Sequence, residues 1–83
     1  MVIKMNKMYL GETAEVMSIN EDISEVKRLR DMGLREGRLI DLMHYDPTSA
    51  KKIIIKFDNS TIAFDVELSE AITVRQLKSY YEV

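Results

Sequence analysis

Apolar and polar residues alternate in several short runs along this chain, and one run of a different period interrupts them. From Ala14 to Ile19 the alternation places Ala14, Val16 and Ser18 on one face and Glu15, Met17 and Ile19 on the other, which predicts a strand. Ile23, Val26, Leu29 and Met32 then recur every three residues, so they draw an apolar stripe along a helix while Ser24, Lys27, Arg28 and Asp31 face away. Asp22 with Glu25 three residues later resembles a capping box, and Asn20 is a competing cap; either opens the helix near residues 21–23.

Gly33 is the residue type that most readily takes the left-handed conformation closing a helix. Leu34 sits where a Schellman motif wants an apolar residue, within reach of Leu29. Glu36 and Gly37 suit the centre of a type II turn, whose second central residue needs positive φ. A strand is expected to follow at once.

Residues 38–46 alternate with Ile40, Leu42 and His44 opposite Leu39, Met43 and Tyr45, and Asp46-Pro47-Thr48-Ser49 supplies loop chemistry. Ile53, Ile55 and Phe57 share one face of a run from Lys52 to Phe57, and Ile62, Phe64 and Val66 share one face of Thr61 to Val66, which predicts a hairpin. A turn at Asp58-Asn59 sets Ile55 against Ile62, and one at Asn59-Ser60 sets Ile55 against Phe64; parity permits both. A helical turn at Leu68 to Ala71 and a strand at Ile72 to Arg75 complete a mainly β pattern of five short strands and one longer helix. Such a set suits a small barrel, closed partly to avoid exposed edges.

Composition narrows the class. The 83 residues are enough for one domain that buries about 60% of its unfolded surface or slightly more. An apolar share of 46% with 31% charged residues is that of a globular domain, not a disordered tail. There is no cysteine, so neither disulfides nor thiolate zinc sites contribute. No stretch approaches the ~18 apolar residues of a membrane span, and no apolar run of signal-peptide length follows Met1 to Lys7. The cytosol is the expected compartment. A formal charge of −2 does not favour nonspecific attraction to nucleic acid or anionic lipid.

Candidate chemistry is sparse. With one histidine, His44, no cysteine and no GxxxxGK[ST] pattern, the chain lacks the parts of a nucleophile, base and orienter, and no enzymatic activity, cofactor or catalytic residue is expected. The strand pattern sets His44 on the Ile40 and Leu42 face, where a satisfied imidazole is the simpler reading than a metal ligand. A ferrous site built on imidazole and carboxylate needs more than one histidine, and Met32 and Met43 in apolar patterns read as core filler instead of soft ligands. Without Trp, and with Phe57 and Phe64 expected in the core, an aromatic groove for proline-rich peptides is disfavoured.

The order of features, Met5-Asn-Lys-Met8 before Gly11, Ala14-Glu-Val16, the block Leu29-Arg-Asp-Met-Gly33-Leu34-Arg-Glu-Gly37, Pro47 and Ala71-Ile72-Thr73-Val74, resembles the ferrous iron transport protein A (FeoA) family. The resemblance runs from about residue 5 to 74 of a single domain spanning 1–83, leaving 75–83 as a tail. It implies an SH3-like β-barrel with an inserted helix, in a cytosolic accessory protein that works with the membrane GTPase transporter FeoB in bacterial ferrous iron uptake, at the inner face of the membrane through that partner. The same fold occurs in iron-dependent repressors. The chain departs from the family pattern at Thr48-Ser49-Ala50, at Glu36 and at Asp65.

Protein binding is then the expected activity, with Lys27, Arg28, Arg35 and Arg38 as candidate basic contacts for an acidic partner surface. The blander reading is a solvated face on which Lys27 and Asp31 form a weak pair four residues apart. Tyr80-Tyr81 in the tail either covers a sheet edge, contacts another copy or frays. The alternative function is a free-standing SH3-like module in metal-dependent transcription or nucleic-acid binding, against which the acidic balance and the lack of a helix-turn-helix segment weigh.

Overall fold

Among the described residues six antiparallel strands form one sheet in the order β1-β6-β2-β3-β4-β5. The computed structural model describes residues 1–46 and 51–77, with the backbone alone at Asp46. In chain order the elements are β1 (Val2–Lys4), a 3-10 turn (Met5–Lys7), β2 (Thr13–Ile19), α1 (Ser24–Asp31), β3 (Leu39–Asp46), β4 (Lys52–Phe57), β5 (Ser60–Asp65), α2 (Val66–Ser69) and β6 (Ile72–Gln76). The predicted mainly β class holds, with a sixth strand, β1, that three residues are too few to announce by periodicity. No strand pair joins β1 to β5. Instead α2, which follows β5, packs against the 3-10 turn that follows β1, so helical pieces bring the two ends of the sheet together.

The core is one cluster in which every strand from β2 onward takes part. Ala14, Val16, Ile40, Leu42, Ile53, Ile55, Ile72 and Val74 are buried from the sheet, and Val26 and Leu29 from α1. Phe57 and Phe64 lie in the core as expected. The buried methionines, however, are Met5 and Met8 around the 3-10 turn, whereas Met32 and Met43 are exposed.

Two bulges account for the places where strict alternation fails. In β2 the register slips between Val16 and Ser18, so Ser18 turns outward and Ile19 joins the core on the side of Ala14 and Val16. In β3 it slips between Leu42 and His44, which exposes His44 and packs Tyr45 against the core. The expectation that His44 shares the buried face is thereby corrected.

The hairpin takes the register with Ile55 opposite Ile62 and Phe57 opposite Ser60, leaving Asp58-Asn59 as the two-residue loop with Asp58 at φ 53°. The last helical turn begins at Val66, two residues earlier than expected, and β6 extends one residue further, to Gln76. The loop predicted around Pro47 and the tail with Tyr80-Tyr81 lie outside the described residues.

Helix α1 starts after Ile23, an extended residue without a side-chain cap. The expected capping box is absent: the Asn20 side chain accepts from the Asp22 amide at 3.0 Å, a local turn that precedes the helix. At its other end the closure matches expectation, with Leu34 N–H donating to Leu29 C=O at 3.1 Å and Gly33 N–H to Arg30 C=O at 3.0 Å. Eight residues make a marginal helix on their own, so burial of Val26 and Leu29, at about 1.5–3 kcal/mol each, holds it to the sheet. Arg38 N–H closes the following turn onto Arg35 C=O at 3.1 Å, with Gly37 at φ 89°.

Candidate interaction surface

The four candidate basic residues are carried by two segments. Lys27 and Arg28 project from the exposed side of α1, and Arg35 and Arg38 flank the turn that leads into β3. Arg28 stands beside the carboxyl end of β5, where its charge helps to lower the Asp65 pKa. Arg38 ion-pairs with Asp58 at 3.2 Å, at the tip of the β4–β5 hairpin. Six residues of strand separate that tip from the Lys52–Asp65 end, roughly 20 Å, so Arg28 and Arg38 mark opposite ends of the hairpin.

Pairing decides which charges remain available. Arg30, which faces neither group, is held at Glu21 with Nε 2.6 Å from Oε1, and its Nη2 lies 2.9 Å from both Glu36 carboxylate oxygens. Lys52 and Asp65, directly opposite in the hairpin, pair at 2.7 Å. Arg75 likewise pairs with Glu15 across β6 and β2. Among the described residues Lys27, Arg28 and Arg35 make no ion pair; the Lys27–Asp31 pair expected from their spacing does not form, and both side chains face water.

Two carboxylates are held below their ordinary range. Glu36 is lowered from 4.5 by a hydrogen bond from its own backbone amide, opposed by partial desolvation and aided by Arg30 and Arg35. Asp65 is lowered from 3.8 by its hydrogen bond from Lys52, with Arg28 adding to the attraction.

Pattern reading missed Glu12, a carboxylate 2% exposed. It accepts from the Tyr9 backbone amide at 2.9 Å and from Gln76 Nε2 at 2.8 Å, while its own backbone bonds Leu42 N–H at 3.0 Å. The carboxylate thus ties the turn before β2 to the end of β6. Its neighbours are amides, which makes it a structural clasp. A lone acidic residue after Gly11 gives no sequence signal for this role, because its partners lie three and sixty-four positions away.

Beside α1 two shallow hollows adjoin β5. One, of about 270 Å³, is bordered by Arg28, Lys52, Ala63, Phe64 and Asp65; the other, of about 350 Å³, has Ile23 and Leu68 with Glu25, Asp65 and Glu67. Among the described residues no group of three or more His, Cys, Asp or Glu side chains is placed to hold a metal ion, and no helix is long and apolar enough to cross a membrane.

Comparison with curated protein sequences returns no match. Solved structures are more informative. The crystal structure of an iron uptake regulatory protein (FeoA) aligns at 27% identity and a TM-score of 0.77, over 93% of this chain and 99% of that one. A zinc-complexed FeoA of Stenotrophomonas maltophilia, described as a procaryotic SH3 domain protein, aligns at 16% identity and 0.75, over 87% and 88%. A manganese-dependent transcriptional repressor aligns at 17% and 0.81, over 92% of this chain but 42% of its own, a likeness of fold alone. The FeoA domain model matches residues 3–76, the span from β1 to the end of β6, and with the SH3-like architecture over that span the chain belongs to the FeoA family.

Proposed function

We propose that this protein is a cytosolic, non-enzymatic accessory protein of bacterial ferrous iron uptake that binds the FeoB-type membrane GTPase transporter. Family membership over residues 3–76 carries the reading, since it supports a role in ferrous iron transport. The chemistry of the chain agrees with it: the described residues offer exposed charge and shallow grooves for a protein partner.

Lys27, Arg28 and Arg35 are the cations offered to an acidic partner surface, and Arg38 reaches such a surface only by exchanging Asp58. The protein meets the membrane through its partner, at the inner face.

The test is binding of the purified protein to the cytosolic G domain of its host's ferrous iron transporter and to the full-length transporter, with and without nucleotide, alongside GTP hydrolysis rates. Saturable binding is expected, weakened at low salt by Lys27→Glu with Arg28→Glu. Unchanged affinity in that double variant removes the basic patch, and absence of binding to both transporter forms sinks the accessory reading.

A further inference from the structure

Among the described residues β5 is the edge strand of the sheet and pairs with β4 on one side only. The two-residue loop makes Phe57 and Ser60 a hydrogen-bonded pair, and bonding alternates from there, so Ser60, Ile62 and Phe64 direct their backbone groups to β4. Thr61, Ala63 and Asp65 therefore direct theirs away from it; among the described residues Thr61 and Ala63 make no turn, loop or cap backbone hydrogen bond, and Asp65, the N-cap of α2, offers its N–H while its carbonyl belongs to that helix. No edge charge or proline guards the centre of this strand: its outward side chains are Thr61, Ala63 and Asp65, and the one charge among them is neutralised by Lys52.

Both hollows border this strand or the turn that follows it. The first runs along Ala63 to Asp65, with α1 as its other wall, and its charges balance, Arg28 and Lys52 against Glu25 and Asp65. The second, at the α2 end, has an apolar floor of Ile23 and Leu68 under Glu25, Asp65 and Glu67, with no cation on its rim. The two hollows share Glu25 and Asp65, so together they hold three carboxylates, Glu25, Asp65 and Glu67, against two cations, Arg28 and Lys52, and the excess negative charge lies at the α2 end, where no cation stands on the rim.

We infer that β5 and α1 form a docking groove for an extended segment of a protein partner, which adds to β5 as a seventh strand and lays a lysine or arginine over Leu68 between Glu25 and Glu67. Main-chain pairing to Thr61, Ala63 and Asp65 supplies the attachment, and the acidic hollow supplies the selection, its apolar floor taking the aliphatic stem of the basic side chain. This deepens the accessory reading by naming a surface and the chemistry of the segment, and it is tested without the transporter.

The probe is a synthetic peptide of alternating threonine and valine with one central lysine, and its counterpart with glutamate in that place, each titrated into the full chain by NMR. The lysine peptide is expected to shift the Thr61, Ala63 and Asp65 amides and slow their exchange at least tenfold, and the glutamate peptide to bind at least tenfold more weakly. Glu25→Lys with Glu67→Lys, two exposed sites, reverses that preference, and Ala63→Pro, which removes an N–H that β4 does not use, abolishes binding. Equal affinity for both peptides, or no change along β5 with either, overturns the groove. Protection of those amides in the free protein that rises with concentration also overturns it, since a second copy then occupies the edge. Peptide failure alongside transporter binding dismisses the groove and leaves the accessory reading standing.

Discussion

The amide of Leu34 donates to the carbonyl of Leu29 at 3.1 Å, and Gly33 between them holds φ 106°. That one reversal ends α1, buries Leu34 and aims the chain into the turn before β3. A Cβ at Gly33 would meet Phe57 Cε2 at 3.5 Å, an ordinary contact, so the obstacle to substitution is backbone conformation and not space. Gly33→Ala is expected to cost about 1–2 kcal/mol, read as a lower urea midpoint with an unchanged m-value. A loss below about 0.3 kcal/mol would show that the helix end relaxes without strain.

The bulge in β3 makes opposite demands on neighbouring residues. Tyr45 packs on the core and His44 faces water, so Tyr45→Ala is expected to cost about 2–4 kcal/mol and His44→Ala less than about 0.5. Thermal unfolding of the two variants checks this, and a larger loss at His44 would restore uninterrupted alternation in β3.

Those two residues also show where pattern reading stops. The helix closure at Gly33 and Leu34, the turn at Gly37 and the apolar faces of β4 and β5 were legible because each rests on neighbours within about four positions. The bulges at Met17 and Met43 were not, since an extra residue in a strand is defined by the partner strand and leaves no local mark. Nor was the N-terminal start of α1: Asn20 and Asp22 both have capping chemistry, and tertiary packing placed the first turn one residue beyond the predicted window. For the basic residues charge was legible but pairing was not, and only the fold sets Arg38 on Asp58 while leaving Arg28 without an ion pair.

Glu12 accepts two amides in a site nearly closed to water. Glu12→Ala leaves the Tyr9 N–H and the Gln76 amide without that acceptor, at an expected cost of about 1–3 kcal/mol. A double-mutant cycle with Gln76→Ala by urea unfolding should give a coupling of about 0.5 kcal/mol or more. Strict additivity would mean that the Gln76 contact contributes nothing.

Acid should weaken the fold through two exposed carboxylates. Because Glu36 and Asp65 have folded pKa values below 4.5 and 3.8, the unfolded chain takes up their protons first. Their contribution is therefore present above those values and is lost as pH falls through the lower, folded ones. Lys52→Met should reduce the slope of stability against pH in that acidic window and leave it unchanged near neutrality, as followed by urea unfolding across the range. An unchanged acidic slope would show that Lys52 does not hold Asp65 in its ionised form.

Among the described residues β6 comes last of the strands in sequence yet lies inside the sheet, between β1 and β2. During synthesis the edges of β1 and β2 that it will join therefore emerge and wait until Gln76 has cleared the ribosome. β2 to β5 pair in chain order and do not need β6, but β1 has no strand partner without it, and a nascent chain shorter than that exposes two unpaired edges to any neighbouring polypeptide. Completion of the sheet accordingly waits for β6, and a chaperone that shields strand edges would act on this domain before that strand is in place and not after.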